Sequence, residues 1–434
     1  MIINPQVPLH RLVLSLSEAL DHVSPTVADH QLRVAYMSTR MARALGYEGS
    51  GLRDIFHAAA LHDIGLIKAE NRLRAVAHNQ LEGLGWHGEA GYLLLHDDQF
   101  FGPAASMVRH HHASWKEGGE SAEEEVPLAS FLIALADTVD RHLRRDQPVL
   151  DQADALIGLV KAGSGREFPP ECVRAFCQVA GVPAFWLDAT SPRIYSILSE
   201  EVDWPTLLID ESAVEGIAQI FGRVVDSMSP WTGTHSAGVA ATAVALSGYL
   251  NFSPREQVLM RAAGYLHDLG KMAVPGRILD KPATPTQEEW ALLREHTYHT
   301  FRILNTIGGM PQISEWAAFH HERLDGQGYP FGHKGKDLTL GARIMAVADV
   351  FTAVTEDRPY RPGLREEDAL QVLHCKVEDG GLDRQVVAAL RAHSRKIGSL
   401  RRKEQADWTS KQVTLADLMR SESSRRQPVG TSVL

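Results

Sequence analysis

Seven side chains able to bind a metal recur in one order twice along this 434-residue chain. One series is His235, His267-Asp268, His296, His320-His321 and Asp349; the earlier one is His30, His62-Asp63, His87, His111-His112 and Asp137. The first interval is 32 residues in both series (30 to 62, 235 to 267), and the third histidine precedes the histidine pair by 24 in both (87 to 111, 296 to 320). One matched interval arises by accident, but an ordered set marks two copies of one scaffold. The repeat also reaches beyond the ligands. Asp21-His22-Val23-Ser24-Pro25 parallels Asp226-Ser227-Met228-Ser229-Pro230, and Asp154-Ala155-Leu156 parallels Asp368-Ala369-Leu370. The differences between the copies then become the functional question.

Helical periodicity dominates the readable segments. Leu12, Leu16, Ala19, Leu20 and Val23 form one apolar face, and Val34, Met37, Met41, Ala44 and Leu45 another. The expected architecture is therefore mainly helical, with one domain over residues 1–203 and a second over 204–400, the junction lying near Asp203-Trp204-Pro205. The segment IYSILSEEVDW reads equally as a connecting helix or as a surface helix of either domain. Residues 401–434 read as a polar tail, either mobile or docked as a short helix through Leu415 and Leu418.

With 44% hydrophobic and 23% charged residues, a chain of this length can bury a substantial core. No uninterrupted apolar stretch is long enough to span a bilayer, and the opening lacks a signal-like pattern. Cys172, Cys177 and Cys375 form neither a CxxC pair nor an even disulfide framework. These features lead to an expectation of a cytoplasmic protein without membrane insertion. A net charge of -10 argues against broad nucleic-acid binding, which needs a basic surface to displace phosphate counterions. A small anionic ligand stays compatible if positive charge is concentrated in a cleft. Of the 21 histidines, only those in the repeated frame carry functional weight.

An adjacent His-Asp pair suits a dinuclear site, because the imidazole binds one ion while the carboxylate bridges two; Asp268 is placed to bridge. The pair lies in LHDLGK (266–271), and HHERLDGQGYP follows at 320–330. Together these strings resemble the HD-GYP branch of the HD phosphohydrolase superfamily, over nearly all of residues 220–395. The resemblance implies an all-α fold of two tandem HD-type helical domains and a metal-dependent cyclic-dinucleotide phosphodiesterase. Cyclic di-GMP is the leading substrate; the mixed cyclic GMP-AMP dinucleotide, or a non-catalytic sensor of cyclic dinucleotide or metal, are the rivals. It implies that His235, His267, Asp268 and Asp349 serve one metal and that Asp268, His296, His320 and His321 serve the other. Mixed imidazole and carboxylate ligation suits iron or manganese, and zinc falls within the same donor chemistry. Some family members carry a Glu four residues before the first His that helps hold a third ion. Trp231 stands there, which favours two ions.

Beside the metals, Lys271 is four residues after His267, an (i, i+4) helical placement from which its ammonium can stabilise or protonate the leaving oxygen. Gly326, Gly328 and Pro330 shape a tight loop around Tyr329, read as a portion of the substrate wall. Arg358 and Arg361, nine and twelve residues after Asp349, match family positions that contact the cyclic dinucleotide; a guanidinium there grips phosphate or stacks on a base.

The first copy keeps all seven ligand types, which leaves an additional metal open at His30, His62, Asp63, His87, His111, His112 and Asp137. It departs elsewhere. LHDIGL places Leu66 where Lys271 stands, no GYP follows His111-His112, the acidic run Glu123-Glu124-Glu125 repels a bis-phosphate if it faces the cleft, and Asp146 occupies the position of Arg358. The expected role is regulatory, ligand-sensing or structural. A homo-oligomer or a signalling partner stays open.

Overall fold

A computed structural model describes residues 7–21, 27–67, 71, 86–115, 126–201, 207–229, 233–357 and 362–424, with side chains up to residue 410. The described residues are mainly helical, with one two-stranded ladder in which Val7–Pro8 pairs antiparallel with Leu208–Ile209 and an isolated bridge between Ser164 and Phe168. The fold is all-α, as expected. No described helix is long and apolar enough to cross a membrane.

Two units divide the chain. The first takes in the described residues of Met1–Ala19, Ile67–Ala69 and Leu207–Val413, and the second those of Leu20–Leu66, Glu70–Thr206 and Thr414–Leu434. A single cut at residue 203 therefore misses the opening helix, Leu9–Asp21, most of which belongs with the C-terminal half. The ladder explains this: Val7 pairs with Ile209, and Leu9 N donates to Leu207 O at 2.9 Å. Leu12, Leu16, Ala19 and Leu20 of its expected apolar face are buried; Val23 lies outside the described residues.

Both halves carry the same five helices in the same order. In the N-terminal half they are His30–Ala44, Gly49–Ala60, Trp86–Leu95, Gly102–Arg109 and Leu128–His142. Their C-terminal counterparts are His235–Tyr249, Pro254–Leu266, Gln287–Ile307, Pro311–Ala318 and Leu340–Thr355. Small residues let the central helices approach closely: a Cβ on Gly264 would lie 2.5 Å from Ala240 Cα, so only glycine fits there. The helix starts are specified locally, with capping boxes at Ser253/Glu256 and Thr286/Glu289. A repeated carboxylate secures the helix that opens each ligand series. Asp21 Oδ2 accepts Gln31 N at 2.8 Å, and Asp226 accepts Ser236 N at 3.1 Å and Ser236 Oγ at 2.6 Å.

The segment after residue 400 departs from the expected polar tail. A helix runs over Arg384–Ser424, with one non-helical residue at His393. Trp408 anchors it: the indole is buried, stacked on Tyr265 with centroids 5.2 Å apart, and the Arg223 guanidinium lies 5.5 Å from its ring. Leu415 and Leu418 lie beyond the described side chains. Some of the segment IYSILSEEVDW forms the helix Ile194–Glu201.

Candidate metal centres

In the C-terminal half each ligand comes from a different place along the five helices. His235 is the first residue of its helix, and His296 and Asp349 lie within theirs. His267-Asp268 and His320-His321 sit in the turns just after Leu266 and Ala318. All seven converge. Asp268 stands in the middle, with Oδ2 3.3 Å from His267 Nε2 and 4.0 Å from His235 Nε2. Its other oxygen, Oδ1, is 3.4 Å from His296 Nε2 and 4.0 Å from His320 Nε2. Asp349 is also shared, with Oδ1 3.2 Å from His235 Nε2 and Oδ2 3.7 Å from His321 Nδ1.

The ring tautomers test whether a cation fits. Nδ1 of His267, His296 and His320 bonds to the carbonyl three residues earlier: Gly264 at 2.8 Å, Leu293 at 2.5 Å and Ala317 at 2.7 Å. A carbonyl only accepts, so Nδ1 carries the proton and the neutral ring turns a lone pair on Nε2 inward. His267 Nε2 is buried without a hydrogen-bond partner, and His296 Nε2 faces His320 Nε2 at 3.3 Å. Burial lowers His296 to about 3 against the pull of Asp268, and lowers His320 and His321 as well. Converging lone pairs on unprotonated rings are satisfied by a cation. Burial alone would raise Asp268 and Asp349, but the Lys271 ammonium beside the one and the His235 hydrogen bond to the other hold both well below the usual carboxylate range. The donor set fits divalent metal ions.

Lys271 reaches this centre by a route different from the expected (i, i+4) placement. The α-helix ends at Leu266, and Leu269–Ala273 is a 3-10 helix, whose tighter winding brings residues three apart together. Lys271 Nζ therefore donates to Asp268 Oδ2 at 2.5 Å. The loop carrying Tyr329 is tied to a ligand as well: Tyr329 N donates to His321 O at 3.2 Å, and the two rings lie 5.0 Å apart. Gly328 is obligatory, since a Cβ there would be 2.3 Å from Arg323 N. Buried Glu322 holds the far side by accepting Phe331 N at 2.7 Å and His333 N at 3.0 Å. Arg358, Arg361 and Trp231 lie outside the described residues.

The N-terminal half repeats the arrangement around Asp63. Oδ2 lies 3.6 Å from His62 Nε2 and 3.7 Å from His30 Nε2; Oδ1 lies 3.1 Å from His87 Nε2 and 3.7 Å from His111 Nε2. His62 and His111 donate through Nδ1 to Ala59 O and Val108 O, at 2.9 Å and 2.6 Å, so their Nε2 atoms also turn inward. His87 Nε2 is 3.0 Å from both His111 Nε2 and His112 Nε2. Differences appear at the edges. Leu66, in the place of Lys271, is fully buried, and Asp146 is exposed beside Arg144 at 3.6 Å. Arg141, four residues after Asp137, binds both its oxygens, Nε to Oδ1 at 3.1 Å and an Nη to Oδ2 at 2.9 Å. Burial works against protonation of His30, but hydrogen bonds to Asp140 and Asp63 and the charges of Asp140 and Asp137 raise it to about 10.

A model of the HD domain matches residues 219–386, and a second HD domain model matches residues 27–142. The chain is similar to a 3'3'-cGAMP-specific phosphodiesterase 1 of Vibrio cholerae, 29% identical over 392 residues that cover 88% of this chain and 90% of the relative. It is similar to a cyclic di-GMP phosphodiesterase of Pseudomonas aeruginosa, 39% identical over 142 residues, 32% of this chain and 34% of that one. A crystal structure of a cyclic GMP-AMP specific phosphodiesterase of V. cholerae shares the fold, with a TM-score of 0.59 and 23% identity over 89% of this chain and 97% of the other. The chain carries two HD domains, the second of which bears the GYP motif. The HD-GYP domain and the divergent HD domain before it each gather all seven sequence-predicted ligand positions.

Sequence reasoning missed the groups that orient these ligands. In the HD-GYP domain Glu356 Oε2 lies 2.8 Å from His235 Nδ1, and Gln405 Nε2 donates to Glu356 Oε1 at 2.6 Å. Glu356 is seven residues after Asp349, two helical turns, a spacing that places both on one face. In the first HD domain the same role falls to Asp140, a single turn after Asp137: its Oδ2 is 2.7 Å from His30 Nδ1, and it also pairs with Arg33. Arg294 was missed too. Its guanidinium carbon lies 5.3 Å from the Tyr329 ring centroid, two residues before His296. The signal for Arg141 was the four-residue step from Asp137, where the second copy has Ala353 after Asp349.

Proposed function

We propose that this protein is a metal-dependent phosphodiesterase that opens a cyclic dinucleotide to its linear form, with the chemistry in the HD-GYP domain and a further cut to mononucleotides open to the same site. The observation that carries this is the division of the Asp268 carboxylate between two imidazole groups, with the Lys271 ammonium on the same carboxylate. His235, His267, Asp268 and Asp349 would hold one ion and Asp268, His296, His320 and His321 the other, iron or manganese by donor type. A bound metal pair supplies an activated water and offsets charge on the phosphate. Lys271 stabilises or protonates the leaving oxygen, Tyr329 walls the substrate, and Arg358 and Arg361 hold it outside the metal centre. The divergent HD domain regulates or senses and has room for a metal of its own. The working compartment is the cytoplasm.

Similarity over about a third of the chain to cyclic di-GMP phosphodiesterases supports cyclic di-GMP as substrate. A second reading, cyclic GMP-AMP, is supported by the similarity that runs through both domains to the V. cholerae 3'3'-cGAMP-specific enzyme. The test is turnover of metal-reconstituted protein on a panel of cyclic dinucleotides with product identification. Tight binding of every dinucleotide without product would establish a sensor instead.

Two variants separate roles within the site. Lys271→Ala should lower turnover by about 10²–10⁴-fold, the usual worth of a positioned proton donor, while metal content stays near wild type. An empty site on metal analysis would reassign Lys271 to metal assembly. Arg358→Ala or Arg361→Ala should weaken cyclic-dinucleotide binding by about 1.5–3 kcal/mol, the worth of a lost charged hydrogen bond, with metal content intact. A small generic phosphodiester that reaches only the metals should be hydrolysed as before. Equal losses on both substrates would remove these arginines from recognition.

A further inference from the structure

The two centres differ in one charged group that the ligand series conceals. In the HD-GYP domain both oxygens of Asp349 face ligand imidazoles, whereas in the first HD domain Arg141 bonds both oxygens of Asp137, of which Oδ1 also lies 3.6 Å from His30 Nε2. That ion pair is buried, with side-chain exposures of 8% and 4%. The guanidinium thus lies on the carboxylate that closes the His30, His62 and Asp63 side, and a divalent ion placed there meets a fixed positive charge in a poorly screening interior. The other side keeps four donors of its own, Asp63, His87, His111 and His112, within 4.8 Å of one another, three of them buried. His87 Nε2 stands 3.0 Å from each of the other two imidazoles. Four protein donors of this kind form a closed set, which holds an ion without presenting it to a substrate.

We propose that the first HD domain holds a single divalent ion on Asp63, His87, His111 and His112, and that Arg141 stands in place of the second. The centre is then a one-ion structural or sensing site. This proposal goes beyond the catalytic reading of the second domain and is read by metal count, so loss of one does not imply loss of the other.

The full-length Asp268→Ala chain removes the shared carboxylate of the HD-GYP centre. Titrated with manganese(II) and followed by the EPR signal of the free ion, it should bind one ion per chain. Adding His111→Ala should abolish that ion, adding His30→Ala should leave it, and adding Arg141→Gln should raise the count to two, whereas Arg141→Lys, which keeps the charge, should leave one. Far-ultraviolet circular dichroism selects the variants that fold. The reverse change gives an independent reading: Ala353→Arg in the otherwise wild-type chain installs a guanidinium four residues after Asp349 and should reduce the total from three ions to two. Two ions bound with Arg141 present, an ion that survives His111→Ala or is lost with His30→Ala, or a count unmoved by both Arg141→Gln and Ala353→Arg would overturn the assignment.

Discussion

Asp268→Ala is expected to reduce cyclic-dinucleotide hydrolysis by about 10³-fold or more, corresponding to roughly 4 kcal/mol of lost transition-state stabilisation. One carboxylate faces His267 and His235 through Oδ2 and His296 and His320 through Oδ1, so its removal takes the shared donor from both imidazole clusters at once. It also leaves Lys271 without its 2.5 Å partner. Metal analysis of the purified variant should show depletion of the HD-GYP centre in parallel with the loss of product. The matched Asp63→Ala should retain substantial turnover, because the first HD domain lacks the lysine and the GYP loop; its effect should fall on metal content and regulation. Near-normal hydrolysis by folded Asp268→Ala would place the chemistry elsewhere.

The converging histidines and aspartates were legible because a metal site, as proposed here, constrains residue type and spacing together. His267-Asp268 and His320-His321 sit in turns after helices, and the 32- and 24-residue intervals are the same in both copies although the third helix of the five is 21 residues long in one and 10 in the other. Side chains that act on those ligands obey a looser rule. Any carboxylate within reach orients His235 or His30, so Glu356 serves from two turns away and Asp140 from one, and no shared string announces either. The same looseness hid Gln405, which reaches Glu356 from beyond the expected domain end at residue 400. There composition misled: Arg401–Ser410 is polar and charge-mixed, yet buried Trp408 holds the helix on the domain through one large side chain. Lys271 shows a third limit. Its identity and neighbourhood were readable, but an α-helical spacing rule does not apply where the chain tightens into a 3-10 turn.

The glycine inside each His-Asp motif carries the second large effect. A Cβ on Gly270 would lie 2.0 Å from His296 O and 2.8 Å from Thr300 N, so the helix that supplies His296 runs directly against the turn that supplies Asp268. Both contacts are backbone atoms, and no side-chain rotation relieves them. Gly270 N also donates to Thr300 Oγ1 at 2.9 Å, while that hydroxyl donates to His267 O at 3.1 Å, so displacement of the turn breaks two further bonds. Gly270→Ala should destabilise the protein by about 1–3 kcal/mol through overpacking. Its effect on turnover should be larger, about 100-fold or more, because a shift of roughly 1 Å between His296 and Asp268 separates donors that must bind together. Gly65 meets His87 O at the same 2.0 Å in the first domain, and Gly65→Ala should cost similar stability while sparing most of the turnover. Thermal melts and steady-state rates on the two variants test this. Equal rate losses at matched stability would show that Gly270 acts only through global folding; a rate loss confined to Gly270→Ala would show that the glycine sets the separation between the two halves of the metal site.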